Sequence, residues 1–173
     1  MGQRMRRLIA VLVSTRTTPG AADCALVTAR AVLALLFIYH GGRRLFGWFG
    51  GIGLHASADY FAHTVGLRPG LLFATLSGTI EFFGGIALAF GLVARLAGLA
   101  IFGDMMIAIV TVTWANGINA TGGQAGYELN LALGVLALMV AFFGAGRFSV
   151  DALLERRVLA SSARDEGLLV GPA

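Results

Sequence analysis

Residues 71–93 read LLFATLSGTIEFFGGIALAFGLV, an apolar run that carries one charged side chain, Glu81, and no proline. About 20 consecutive apolar residues is what a helix needs to cross the roughly 30 Å hydrocarbon layer of a bilayer. The stretch therefore reads as a membrane-spanning helix. Glu81 falls near its middle, where a charged side chain costs roughly 2.5 to 3.5 kcal/mol on insertion scales, so its carboxyl has to face other helices and not lipid.

Three further stretches supply those helices, at about Ala22–Tyr39, Leu96–Trp114 and Tyr127–Phe143, the last a little short unless residues 144–146 lie among the headgroups. Composition agrees: the 173 residues are 57% hydrophobic and 13% charged, with mean hydropathy +0.81, which suits a chain whose solvent is lipid. Glycines scattered through apolar sequence let membrane helices approach closely, so Gly84, Gly85 and Gly91 read as packing surface. The expected fold is all-α, an integral membrane four-helix bundle.

All thirteen basic residues are arginine. Arg4, Arg6, Arg7 and Arg16 precede the first span, Arg95 lies between the second and third, and Arg147, Arg156, Arg157 and Arg164 come after the fourth. Arg43, Arg44 and Arg68 fall on the opposite side. This asymmetry predicts that both termini are cytoplasmic. The basic excess then sits where it orients the protein and meets anionic lipid, and it needs no nucleic acid to explain it.

Residues 1–20 read as a retained cytoplasmic arm, since Leu8–Val13 is too short for a signal-peptide core and Arg16 breaks the stretch after it. Residues 21–146 form the membrane domain. Residues 147–173 form a cytoplasmic amphipathic tail, with a helix start expected at Ser149 and Val150, Leu153, Leu154 and Val158 on one face. Cys24 is the single cysteine, which excludes an intramolecular disulfide, a Cys-x-x-Cys redox pair and a cysteine cluster for iron–sulfur or zinc.

Arg30 and Asp104 lie in the first and third spans at depths comparable to Glu81. Left unpaired, the three would cost about 8 to 10 kcal/mol, so they are expected to face one another. One positive against two negative charges calls for a proton held between the carboxyls or for a second cation. Ser77, Gly78, Gly84 and Gly85, at i−4, i−3, i+3 and i+4 from Glu81, leave its face almost bare. Either a neighbouring helix fills that space, with Glu81 paired to Arg30, or a ligand does. At the outer ends, Tyr39, Trp48, Tyr60, Trp114 and Tyr127 read as an aromatic belt or as the mouth of a headgroup pocket, in which Glu128 could reach His40 or an arginine.

Between the first two spans, Leu54, Ala58, Phe61, Ala62 and Val65 recur at helical spacing, which predicts a short interfacial helix. Its other side carries His55, Asp59 and His63. Two of these could share a metal, but eight residues of helix span about 12 Å, too far for all three to reach one ion, and no metal is expected.

The first span running into HGGRRLFGWFG at 40–50, the segment EFFGGIALAFGLVARLAGL at 81–99, the mid-span Asp104, Gly126-Tyr127-Glu128 and the closing GAGRFSVD at 144–151 together resemble the DoxX family of four-helix membrane proteins. That family often has lysine where this chain has Arg44, so the charge is kept. The resemblance implies a bacterial inner-membrane protein. Because relatives include the quinone-reducing membrane subunit of thiosulfate oxidation, it further implies a quinone-interacting subunit of an oxidoreductase assembly in sulfur, thiol or oxidative-stress chemistry, with protein partners or further copies of itself. On that footing Arg30, Glu81 and Asp104 are the candidate catalytic residues, and His40, Arg44, Gly84, Gly85 and Glu128 the candidates for holding the quinone. A small proton-coupled transporter, or a scaffold locked by the same charges, are the other two readings.

Overall fold

The computed structural model describes residues 19–119 and 125–169, with the side chains of 20–119 and 125–159. The arm expected over residues 1–20 lies, but for its last two positions, outside the described residues. Helix α1 spans Pro19–Phe46, and a short helix α2, Gly53–Asp59, continues as a π-helical turn over Tyr60–Val65. Helix α3 comes next at Gly70–Phe90. Helix α4, Ala94–Ala108, runs on through a π-helical segment, Ile109–Thr113, and a 3-10 turn to Asn116; α5 is Glu128–Phe143 and α6 Val150–Leu169. Among the described residues there is no strand.

Three of these are long and apolar enough to cross a membrane, over Gly20–Phe46, Gly70–Phe90 and Ala94–Asn116. Helix α5, with 16 residues, is about 24 Å long and completes the bundle as its shortest member. Helix α1 packs chiefly on α3, and α4 on α5. Both pairs close on glycine: a Cβ at Gly85 would come within 2.9 Å of the Ile38 nitrogen, and one at Gly98 within 2.6 Å of the Ala137 oxygen. Apolar side chains gain little by leaving lipid for protein, so such backbone approaches are what hold membrane helices together.

The apolar core is built toward the end of the bundle that bears Pro19 and Val150. Leu33, Leu88, Ile101 and Val140, one from each long helix, are fully buried there, with Ala34, Ala94, Ala97 and Ala137 between them. At the same end the GAGRFSVD segment is tied across the helix termini. Asp23 accepts from the Arg147 backbone N–H at 2.9 Å, and Asp151 accepts from the N–H groups of Val93 and Ala94 at 2.7 and 2.9 Å. Val93 has φ 42°, a left-handed conformation unusual for a β-branched residue. Asp151 satisfies two of the free donors at the start of α4 and holds that conformation in place. Ser149 caps α6 as expected, its Oγ accepting from Ala152 N–H at 3.1 Å.

Helix α2 and its π turn lie against α3, with Ser57 and Phe61 buried. His55, Asp59 and His63 are exposed on the other side.

A cavity with an arginine–carboxylate wall

Beside the apolar core the four long helices surround a cavity of about 480 Å³. Helix α3 contributes Phe73, Leu76, Ser77, Ile80 and Glu81. Helix α4 contributes two adjacent stripes, Leu99, Gly103, Ile107 and Thr111 beside Ala100, Asp104, Ala108 and Val112. Each stripe repeats every four residues, as one face of a helix must. Helix α1 adds Phe37, His40 and Arg44, α5 adds Leu129, Asn130 and Leu133, and Tyr60 and Phe61 close it from the interfacial segment. Both π-helical turns, which widen the backbone by a residue and so redirect side chains, border the cavity.

Its polar wall is an ion pair. Arg44 Nε and Nη2 donate to Glu81 Oε2 and Oε1 at 3.1 and 3.0 Å, a two-pronged contact with Glu81 almost wholly buried. The guanidinium also lies 5.2 Å from the centre of the Phe61 ring, which adds a cation–π attraction in a partly desolvated place. Asp104, 8% exposed, interacts with Ser77 and stands within the field of both Glu81 and Arg44. Toward the end away from the chain termini Asn130 donates to Thr113 Oγ1 at 3.3 Å, and His40 stands exposed at the rim.

The expected Arg30 network is not what forms. Arg30 is buried, but its Nε donates to the Leu88 carbonyl at 2.9 Å, its Nη2 to Ala89 at 3.4 Å, and its Nη1 to Phe148 at 3.1 Å and to Ala145. It therefore serves the carbonyls at the end of α3 and in the GAGRFSVD segment, seven residues or about 10 Å along α3 from Glu81. The reason is directional. Side chains on a helix lean toward its N-terminus, so both arginines of α1 reach the same way. That carries Arg30 out toward the terminal end and brings Arg44, on the last turn of a helix longer than its apolar stretch, back down onto Glu81.

Gly84 and Gly85 are also corrected as ligand residues. A Cβ at Gly84 would meet Ile101 at 3.2 Å, and Gly85 faces the α1 backbone. The glycine part of the bare face next to Glu81 is filled by neighbouring helices, and the cavity lies on the Ser77 and Ile80 side. Glu128 is exposed at the start of α5 and does not line the cavity, whereas Leu129 and Asn130 do. Of the five aromatics expected near the mouth only Tyr60 lines the cavity, while Trp114 stacks on Tyr127 at 5.6 Å and Trp48 meets Phe82 edge-on at 5.6 Å.

Asn130, Thr113 and Phe61 line the cavity although the sequence reading does not name them as site candidates. Asn130 had a signal, as an amide two residues inside an apolar span, but Glu128 drew attention by its charge.

A bundle of membrane helices around a largely apolar cavity with one polar wall defines a class of small integral membrane proteins with an intramembrane site. Comparison supplies the particular family: the DoxX family model matches residues 25–114, more than half of the chain, and the chain belongs to that family. It is similar to the inner membrane protein YqjF of Escherichia coli (strain K12), 26% identical over 137 residues that cover 78% of this chain and 95% of that protein. No solved structure matches the chain.

Proposed function

We propose that this protein is a quinone-interacting subunit of an inner-membrane oxidoreductase assembly, and that the cavity between the four long helices receives the quinone ring. The observation that carries the reading is the pairing of apolar walls with a short polar edge in one cavity, the usual composition of a small-molecule site. Its volume of about 480 Å³ falls within the usual range for such sites. Phe37, Phe61 and Ile80 offer flat or aliphatic surface to a ring. Arg44, His40, Tyr60 and Asn130 carry donors for carbonyl oxygens, and Asp104 offers a carboxyl to a hydroxyl.

A bound quinone supplies two-electron, two-proton chemistry. What the chain supplies is position and proton handling. The Arg44–Glu81 contact fixes both side chains by two parallel hydrogen bonds, so Arg44 keeps its charge at a set place beside the cavity. Asp104, with no arginine of its own, is the carboxyl free to give or take a proton on the ligand side, and Ser77 orients it. His40 connects the cavity rim to the aqueous face. The single cysteine, Cys24, lies on α1 at the far end of the bundle. Thiol or sulfur electrons therefore enter from a substrate or partner protein.

The test is equilibrium binding of a quinone analogue to the purified protein in lipid nanodiscs, and then electron transfer with candidate donor proteins. Wild type is expected to bind, with Asp104→Asn and Arg44→Met each weakening binding by about tenfold, the scale of one charged hydrogen bond. Proton-coupled flux in sealed vesicles without quinone binding would make the protein a transporter instead.

A further inference from the structure

Gly103 is the odd glycine of the bundle. At the other glycines in the interiors of α1, α3, α4 and α5, leaving aside Gly20 at the very start of α1, a Cβ would meet a neighbouring helix or loop, as expected where glycine serves close packing. At Gly103 it would meet nothing within 4 Å. A glycine in a helix interior forfeits about 1 kcal/mol against alanine, and here no helix contact offsets that loss. What lies beside Gly103 is the cavity.

The rim next to it faces lipid. Leu76 on α3 and Leu99 and Ile107 on α4 line the cavity and are also 53%, 54% and 55% exposed. At the depth of a membrane span, exposed apolar side chains border hydrocarbon. From Leu99 to Thr111 the cavity runs along α4 for about 18 Å. Apolar residues line it along its whole length, and Asp104, Glu81, Arg44, Thr113 and Asn130 make up its polar wall. We infer that the α3–α4 seam is a lipid-side entrance whose threshold is Gly103, and that the site takes ligands made of a polar ring on a long apolar chain, the ring passing Gly103 to reach Asp104 while the chain lies along the Leu76, Leu99 and Ile107 rim. This rests on the cavity being the quinone site, and it adds the route and the requirement for a chain.

The entrance is tested in nanodiscs with two probes that share one ring, a quinone bearing a decyl chain and the same quinone without it, with affinities expressed per mole of lipid so that partitioning is removed. Wild type is expected to bind the chain-bearing probe more tightly by about tenfold, since several methylenes gain protein contact along the rim. Gly103→Leu adds a side chain whose Cβ meets nothing within 4 Å and which extends beside the cavity, so the protein is expected to fold with its wild-type elution volume and helix content. It should lose at least about tenfold in affinity for the chain-bearing probe, and Gly103→Ala a smaller part of that. Val110→Trp, on the lipid face outside the cavity, serves as control and should bind as wild type. Unchanged affinity in Gly103→Leu, or in Gly103→Ala should the leucine variant not fold, overturns the entrance. Equal affinity for the two probes in wild type overturns the chain requirement. If wild type binds neither probe, the quinone reading itself fails.

Discussion

Arg44 and Arg30 show how one helix uses two identical side chains for opposite purposes. Arg44 neutralises Glu81 at the cavity wall through two hydrogen bonds, so Arg44→Met leaves a buried carboxylate without its partner. Breaking a buried pair in this way costs about 3 kcal/mol, and the melting temperature of the solubilised protein should fall accordingly. Adding Glu81→Gln should restore most of the loss, and a double variant no more stable than Arg44→Met would mean the pair is not the source of the effect. Arg44→Lys keeps the charge but only one prong, and should lie between wild type and Arg44→Met. Arg30 behaves differently because its partners are carbonyls. Arg30→Met should destabilise as well, yet neither Glu81→Gln nor Asp104→Asn should rescue it; rescue by either would place Arg30 back in the cavity.

At the scale of elements, the bundle is held at its terminal end by a segment that looks like a loop in sequence. Asp151 reaches from the start of α6 to cap α4, and the Asp151 backbone N–H donates to the Gly91 carbonyl at 3.0 Å. Asp151→Ala should cost about 1 to 2 kcal/mol, the range of a lost helix cap, measured as a lower midpoint in a thermal melt. Glu155→Ala, one turn farther along an exposed face, should leave the melt unchanged. Val93→Gly should offset part of the Asp151→Ala loss, because glycine adopts the positive φ without strain. Close crossings make the complementary prediction: Gly85→Leu and Gly98→Leu push against a neighbouring backbone and should abolish folded yield in detergent, whereas Gly103→Leu should not.

On the scale of the whole molecule, the chain ends of the described bundle lie together, since Asp23 near the start of α1 bonds Arg147 after α5. The arginine asymmetry predicts that this shared end is cytoplasmic. Reporter fusions after Gly20 and Arg164 should therefore read cytoplasmic, and a fusion after Arg68 external. An internal signal at Arg68 would invert the protein, and with it the side on which His40 meets water.

Length and hydropathy by themselves determined that this chain is a membrane bundle, because a span has to be apolar for its full length and each residue adds to that requirement independently of its neighbours. They also placed Glu81 and Asp104 inside the bundle, since a charge in lipid has nowhere else to go, and the ordered motifs disclosed the family. The interfacial helix was legible from its spacing and the α6 start from its cap, both being local. Which cation meets which carboxyl was decided only by the tertiary structure. Depth along a span counts residues from its ends, but pairing depends on where a helix truly ends and on which way a long side chain leans. Helix α1 continues past its apolar stretch to Phe46, and the lean toward its N-terminus exchanges Arg30 for Arg44 at Glu81. The glycines divide on the same ground: Gly84, Gly85 and Gly103 are alike in sequence, and only the arrangement of helices gives the first two a neighbour and leaves the third beside the cavity.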